Sequence, residues 1–153
     1  MGISKDIKQK TFKSEFHKVI INLIFTSNWM NEQENKLFKP HGLTTAQYNV
    51  LRILRGQYPN SATINLLIER MLDRMSNASR IVDKLLAKGL VHRQQNDVDR
   101  RAVDVLISEK GLELLETIDV EMNKFEDSIN QFSEEECRIV NEFLDKFRGS
   151  EPD

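Results

Sequence analysis

The sequence has few of the residues that cross-link or interrupt a chain. Among its 153 residues there is one cysteine, Cys137, with three prolines and six glycines. A single cysteine excludes an internal disulfide, and low cysteine usage is typical of a cytoplasmic rather than a secreted protein. Charged residues make up 30% of the chain, which fits a helical protein with large solvated faces.

Long apolar runs and the marks of an enzyme are also missing. The longest apolar stretch, Val19 to Phe25, is interrupted by Asn22 and is too short to span a bilayer. The N-terminus lacks the apolar segment of a signal peptide, so we expect a cytoplasmic protein that does not enter a membrane. The sequence has no nucleophile–base pair, phosphate loop or paired carboxylates, and its three histidines lack metal-ligand spacing. We therefore expect neither an enzyme nor a bound cofactor or metal.

Charge is distributed unevenly along the chain. Residues 73–101 contain seven Lys/Arg and four Asp/Glu, a local net charge of +3. Residues 126–153 contain nine acids and three basic residues, a local net charge of −6. A basic segment suits a nucleic-acid partner, but solvated helix faces give similar counts. Charge alone does not decide between the two.

The first part of the chain predicts one long helix. Residues 7–38 contain neither glycine nor proline, and their apolar positions follow helical spacing. The cluster Pro40-His41-Gly42 ends the pattern. Because apolar residues occupy more than one face between Val19 and Phe25, we expect burial on more than one side, and a partner subunit is a candidate for the second surface.

Three short helices are predicted next. Thr44 and Gln47 have capping-box spacing at the start of a helix that stops at Gly56. A second short helix is expected from Thr63 to about Met71. Its predicted inward residues are Ile64, Leu67, Ile68 and Met71. A third is expected from about Ser76 to Lys88, ending at a glycine. Its predicted apolar stripe is Ala78, Ile81, Val82 and Leu85.

A β-hairpin and two further helices complete the pattern. Residues 90–95 are strand-like, and residues 103–107 alternate with a period of two. Ser108 caps the next helix, and Ser133 with Glu136 predicts a capping box for the last one. The apolar stripe of the last helix is Ile139, Val140, Phe143, Leu144 and Phe147.

This order predicts a mainly α fold with a small β-hairpin wing, a winged helix-turn-helix centred on residues 63–107. The second helix of such a pair enters the major groove of DNA. The predicted helix 76–88 carries a polar face opposite its apolar stripe. That face consists of Ser76, Asn77, Ser79, Arg80 and Lys84. Asparagine can pair with adenine and arginine with guanine, while serine hydroxyls suit phosphates. An ordinary amphipathic surface helix is the alternative interpretation.

The predicted hairpin tip carries Arg100 and Arg101 beside Asp97 and Asp99. An arginine on a thin loop can enter the minor groove, where the potential is strongly negative. An aspartate two residues earlier can hold the guanidinium by a bidentate pair. A solvated turn is the alternative here.

The same residues resemble the MarR (multiple antibiotic resistance regulator) family. The stretch RMSNASRIVDKLLAKGLVHR, from Arg74 to Arg93, resembles the family's recognition helix and first wing strand. DVDRRAVDVLISEKG, from Asp97 to Gly111, resembles its wing and the start of the next helix. GLTTAQYNVL, from Gly42 to Leu51, resembles the entry into its second helix. The resemblance covers about Leu37 to Leu115.

The resemblance implies a single MarR-like domain over residues 1–153, acting as a homodimeric bacterial transcription regulator on double-stranded DNA. Residues 1–38 and 112–148 would be N- and C-terminal dimerisation helices, and residues 44–110 the DNA-binding lobe. Asp99 and Arg101 match the wing's Asp-x-Arg pair. The operator would be a pseudo-palindrome. A protein-interaction module on the same scaffold is the alternative, and the basic, polar face of the predicted helix 76–88 argues against it.

Family members are often repressors that release DNA when a small phenolic or aromatic ligand binds between the dimer helices and the DNA-binding lobe. By position, five residues could line such a site, with core packing as the alternative for each. These are His17, Phe25, Trp29, Tyr48 and Arg52. Members that sense peroxide use a cysteine in the first helix. Cys137 lies in the last helix beside acidic residues, so we expect a structural or incidental role for it.

Overall fold

The computed structural model describes residues 2–96 and 103–150, and its contacts divide the chain into two compact units, Met1–Asp119 and Val120–Asp153. Within the described ranges, no helix combines the length and the apolar character needed to cross a bilayer. The elements, in chain order, are α1 (Ile3–Asp6), α2 (Glu15–Phe38), a 3₁₀ turn (Lys39–His41), α3 (Thr45–Gln57), β1 (Ala62–Thr63), α4 (Ile64–Arg70), α5 (Ala78–Ala87), β2 (Val91–Gln95), β3 (Val103–Ile107), α6 (Glu109–Ile129) and α7 (Glu134–Arg148).

The long first helix is present, but its predicted start at residue 7 is wrong. Helix α2 begins at Glu15, because the Ser14 hydroxyl accepts a hydrogen bond from the backbone N–H of His17 at 3.0 Å and caps it. Lys8, with φ of 55°, separates α2 from the short α1. The predicted end is confirmed: α2 stops at Phe38, and Gly42 takes a left-handed conformation with φ of 70°.

Local capping signals place the next two helices. The predicted capping box of α3 is confirmed, with Gln47 N–H donating to Thr44 Oγ1 at 3.2 Å and Thr44 N–H donating to Gln47 Oε1 at 3.1 Å. Thr63 caps α4 through its hydroxyl. Leu67 is buried as predicted, but the prediction that Ile68 faces inward is wrong, because its side chain is 48% exposed.

The predicted hairpin is confirmed, and the sheet contains one strand more than predicted. Strands β2 and β3 are antiparallel, with Val91 opposite Ile107. Strand β1 joins the other edge of β3, with Ala62 opposite Val105, which gives the order β1-β3-β2. Two residues are too short a segment to show a period of two, so the sequence pattern contained no signal for β1.

The core of the first unit lies behind α5. It joins side chains from helices α2 to α6 and from the sheet. Its fully buried large residues include Phe38, Leu51, Leu54, Leu67, Leu85, Ile107 and Leu115. The first turn of α6 lies close to this sheet: Ser108 Oγ donates to the Gly89 carbonyl at 2.8 Å and accepts from Gly111 N–H at 3.1 Å, so its predicted capping role is confirmed.

The second unit contains the end of α6 and all of α7. The predicted capping box of α7 is confirmed, since Ser133 N–H donates to Glu136 Oε2 at 2.8 Å and Glu136 N–H donates to Ser133 Oγ at 3.3 Å. The backbone N–H and the hydroxyl of Ser133 both donate to Glu136 Oε2, and they hold the pKa of Glu136 below its usual value. Most of the apolar stripe of α7 is exposed to solvent, and Phe143 is 54% exposed.

Candidate nucleic-acid interface

Helix α5 has the position of a recognition helix, but it begins at Ala78 rather than at Ser76. Asn77 is its N-cap, and its Oδ1 accepts a hydrogen bond from Arg80 N–H at 3.0 Å. Ser76 lies before the helix and its hydroxyl donates to Asp73 Oδ2 at 2.6 Å. The cap occupies the oxygen of Asn77 that would accept from adenine, so in this structure Asn77 positions the helix.

The turn between α4 and α5 is held by two side chains that the sequence pattern did not single out. Asp73 Oδ1 accepts from Met75 N–H at 2.9 Å. The Ser76 hydroxyl and this N–H lower the pKa of Asp73. Asn49 of α3 reaches the same turn and accepts from Leu72 N–H at 3.0 Å. Asp73 and Ser76 have a spacing that signals such a turn, whereas Asn49 lies 23 positions from its partner and gave no signal.

The structure brings Ser79, Arg80 and Lys84 to the exposed side of α5. On the opposite side, Ala78, Val82 and Leu85 are buried in the core. Burial of this stripe fixes the rotation of the helix, so its polar face points to solvent. Three groups with hydrogen-bonding or cationic ends therefore share one surface, as reading a groove requires.

An ion pair joins this surface to the sheet. Asp83 also lies on the exposed side of α5, and its Oδ1 is 2.8 Å from Nη1 of Arg93 on β2. The carboxylate would repel DNA phosphates if it stood alone, and Arg93 offsets that charge. Sequence reasoning missed the pair because the two residues lie on different elements.

The end of α5 is held by lysines. Lys88 donates from Nζ to the Gly42 carbonyl and, at 3.3 Å, to Gln47 Oε1 at the start of α3. Lys110 on α6 donates from Nζ to the Lys88 carbonyl at 3.0 Å. These bonds connect the last turn of α5 to two neighbouring helices, so the helix is fixed at its end as well as at its start.

The predicted minor-groove residues Asp99, Arg100 and Arg101 lie outside the described residues. The structure describes the strands that lead to them. At the end of the pairing between β2 and β3, Asn96 Nδ2 donates to both carboxylate oxygens of Asp104, at 3.0 and 3.1 Å.

The five predicted effector residues fall on two helices. Tyr48 on α3 is buried and stacks on Phe38, with ring centroids 4.1 Å apart. The guanidinium carbon of Arg52, one turn later, lies 5.9 Å from the Tyr48 ring centroid. On α2, His17 lies against Phe12 with ring centroids 6.3 Å apart. Phe25 and Trp29 are exposed there, one turn from each other.

A cavity of about 460 Å³ lies between α2, α3 and the turn before α5. Glu34 and Met30 line it from α2, Asn49 from α3, and Met71 and Asp73 from the turn. Burial raises the pKa of Glu34, and the charge of Arg52 opposes this shift. None of the five predicted effector residues lines the cavity.

Comparison with known proteins agrees with this geometry. The model of the MarR family matches residues 41–102. The chain is 30% identical over 130 residues to the HTH-type transcriptional regulator MhqR of Bacillus subtilis, covering 83% of this chain and 87% of MhqR.

Two solved structures have the same fold. A MarR-like transcription regulator of Bacillus cereus aligns with a TM-score of 0.76 at 21% identity, over 88% of this chain and 96% of that one. An organohalide-sensing transcriptional regulator, solved in its 2,4-dichlorophenol-bound form, aligns with a TM-score of 0.77 at 18% identity, over 92% of this chain and 86% of that one. Together with the relationship to MhqR, these likenesses establish that the chain belongs to the MarR family of winged helix-turn-helix, DNA-binding transcriptional regulators and is not an enzyme.

Proposed function

We propose that this protein is a cytoplasmic repressor that binds a pseudo-palindromic operator as a homodimer and releases it when a small ligand binds. The observation that carries the proposal is the polar side of α5. Ser79, Arg80 and Lys84 are exposed there, on a helix whose other side is buried and whose two ends are hydrogen-bonded. A rigid helix with such a face suits insertion into a major groove.

The wing would supply the second contact. Asp99 and Arg101 are proposed to act in the minor groove, with Asp99 orienting the guanidinium, and Arg100 beside them. In the sequence they lie between β2 and β3, which pair with each other and belong to the same unit as α5. A helix in the major groove and an arginine in the adjacent minor groove would together fix the protein on its half-site.

Homodimerisation is supported by exposed apolar side chains on the proposed dimerisation segments, residues 1–38 and 112–148. Phe16 and Ile24 are exposed on α2. Helix α7 exposes Ile139, Val140, Phe143 and Phe147 at helical spacing. Apolar stripes of this kind mark protein interfaces. A two-fold dimer would place two α5 helices on successive major grooves, which is why we propose a palindromic site.

Release by a phenolic or aromatic ligand is proposed because one structural neighbour was solved with 2,4-dichlorophenol bound. Two places on this chain suit different ligands. Tyr48 and Arg52 offer a ring beside an exposed cation, which suits a phenolate. Phe25 and Trp29, exposed on α2, stay proposed as ligand contacts. His17 lies 21 residues before Phe38, the ring on which Tyr48 stacks, which is about 30 Å along α2, so within one subunit it does not reach a ligand beside Tyr48. The cavity beside Glu34 is acidic and suits a ligand with hydrogen-bond donors.

The decisive experiment is selection of bound sequences from random DNA, followed by binding measurements at several salt concentrations. We expect a two-fold symmetric site bound with a nanomolar Kd that weakens steeply as salt rises. Arg80→Ala should weaken binding and change the preferred sequence, while the matched control Arg138→Ala, on α7, should do neither. The proposal fails if micromolar protein shows no salt-dependent binding to any selected sequence.

Dimerisation and ligand release are tested separately. Phe143→Glu should convert a dimer into a monomer in analytical ultracentrifugation and abolish tight operator binding, while Glu142→Gln should leave both unchanged. Adding 2,4-dichlorophenol should weaken operator binding by the wild-type protein, and Arg52→Ala should remove that effect, whereas Glu34→Gln should preserve it. A wild-type monomer would contradict the dimer, and insensitivity to every phenol tested would contradict the phenolic ligand.

A further inference from the structure

The two most exposed large apolar side chains of the described residues lie in the turn that leads into α5. Met75 is 95% exposed and Leu72 is 86% exposed, whereas the next highest value is 63%, for Phe16. Neither side chain contributes to the core. The two side chains stand three residues apart in one turn, on the surface proposed to read DNA.

We propose that Met75 packs against the methyl groups of thymines in the major groove and thereby determines part of the operator sequence. The inference rests on the proposed operator binding and adds an apolar contact to the polar ones of α5. The occupant is the edge of a T·A pair, because the thymine methyl is the apolar group that a base pair presents in the major groove.

The position of Met75 supports this assignment. It stands two residues before the N-cap Asn77 of α5, and it is the N-terminal end of a recognition helix that approaches base edges. Its backbone is fixed independently of its side chain, since Asp73 Oδ1 accepts from Met75 N–H at 2.9 Å. The turn therefore fixes the direction of the Met75 Cα–Cβ bond without using the side chain for packing.

The surroundings of Met75 fit DNA better than a protein partner. Arg74 is the adjacent residue and Arg80 is exposed on the first part of α5, so residues 73–80 carry a net charge of +1 with Asp73 included. Two cations beside an apolar group complement phosphates that flank a thymine methyl. The unbranched thioether of methionine can adapt its rotamers to the methyl that it meets.

The test is a double-mutant cycle between the protein and a selected operator. Each thymine of a half-site is replaced by deoxyuridine, which removes the methyl and leaves the hydrogen-bonding edge unchanged. We expect one or two positions at which wild-type affinity falls by about fourfold per half-site, the factor that corresponds to burial of one methyl group. Met75→Ala should bind the thymine and uracil operators equally at those positions.

Two further variants separate the contact from general effects. Met75→Leu keeps an apolar side chain and should retain the preference for thymine over uracil. Leu72→Ala removes a comparable group from the same turn, and its thymine preference should equal that of the wild type. Because Met75 is 95% exposed, Met75→Ala should melt at the wild-type temperature, so a change in binding does not reflect unfolding.

Three results would overturn the inference while the proposed function stands. They are equal wild-type affinity for thymine and uracil at every position, an unchanged preference in Met75→Ala, and a preference that depends on Leu72 instead. Absence of any salt-dependent operator binding by the wild-type protein would overturn the proposed function as well.

Discussion

Gly111→Ala tests how closely α6 approaches the base of the β2–β3 hairpin. Gly111 is buried in the first turn of α6. A Cβ at this position would lie 2.4 Å from the backbone oxygen of Leu90 and 2.8 Å from Cγ1 of Ile107, whereas ordinary van der Waals contact begins near 3.4 Å. One of the two close atoms belongs to the backbone, so a rotamer change cannot relieve the clash and the helix must move away.

Two effects of opposite sign decide the outcome. Alanine in place of glycine favours a helix by up to about 1 kcal/mol. Overpacking a core position costs about 1–3 kcal/mol. Movement of the turn also disturbs the 3.1 Å hydrogen bond from Gly111 N–H to Ser108 Oγ, a bond that contributes about 0.5–1.5 kcal/mol. The clash therefore outweighs the propensity, and we expect a net loss of about 1–3 kcal/mol of unfolding free energy.

The matched control is the same substitution in another helix. Gly56 lies inside α3, and a Cβ built there meets nothing within 4 Å. Gly56→Ala should therefore stabilise the protein, by up to about 1 kcal/mol. Urea unfolding followed by circular dichroism measures both variants against the wild type. The reasoning is refuted if Gly111→Ala is as stable as the wild type, or if the two variants change stability in the same direction.

Three further predictions concern DNA binding and the turn. Arg93→Ala leaves the Asp83 carboxylate unpaired on the exposed side of α5 and should weaken operator binding about tenfold, about 1.4 kcal/mol. The double variant with Asp83→Asn should recover that affinity, and a double variant that binds no tighter than Arg93→Ala contradicts the argument. Arg101→Ala should weaken operator binding broadly and reduce its salt dependence, and an unchanged affinity with an unchanged salt dependence would contradict a minor-groove contact. Asp73 has a lowered pKa, so its contribution to the turn is present above the ordinary aspartate pKa and is lost as pH falls through the lowered value. The Met75 amide signal in NMR should therefore titrate below about pH 3.9, and a midpoint at or above that value contradicts the hydrogen bonds.

Local signals explain the parts of the fold that the sequence predicted well. The capping boxes Thr44–Gln47 and Ser133–Glu136 each involve residues three apart, so spacing alone reveals them. The predicted start of α2 is wrong because the apolar pattern extends back to Phe12, whereas the signal for the true start is one capping residue, Ser14. Strand β1 exists through its pairing with β3, and such a partner is not visible in a two-residue segment.

The candidate site also has parts that the sequence predicts and parts that it does not. The exposed face with Ser79 and Arg80 follows from helical period, and the structure places it as the pattern predicted. The sequence predicts that Asn77 contacts a base, whereas in the structure it caps α5. The two roles are hard to separate by sequence, because the residue types that cap helices are also those that read bases. The Asp83–Arg93 pair and the Asn49 contact join residues ten and 23 positions apart on different elements, so they required the fold to be known.

The hydrogen bonds around α5 indicate where a regulatory signal could act on it. The end of the helix is tied to α3 and α6 through Lys88, and its middle is joined to β2 through Asp83. Its start is held by side-chain oxygens of Asn77, Asp73 and Asn49, and the last two of these residues also line the 460 Å³ cavity. A ligand in this cavity would compete directly with the bonds that hold the turn, and therefore with the direction in which Met75 and the first turn of α5 point. The turn, rather than the body of the helix, is thus the part of the reading surface that a small molecule could change at the lowest cost in stability.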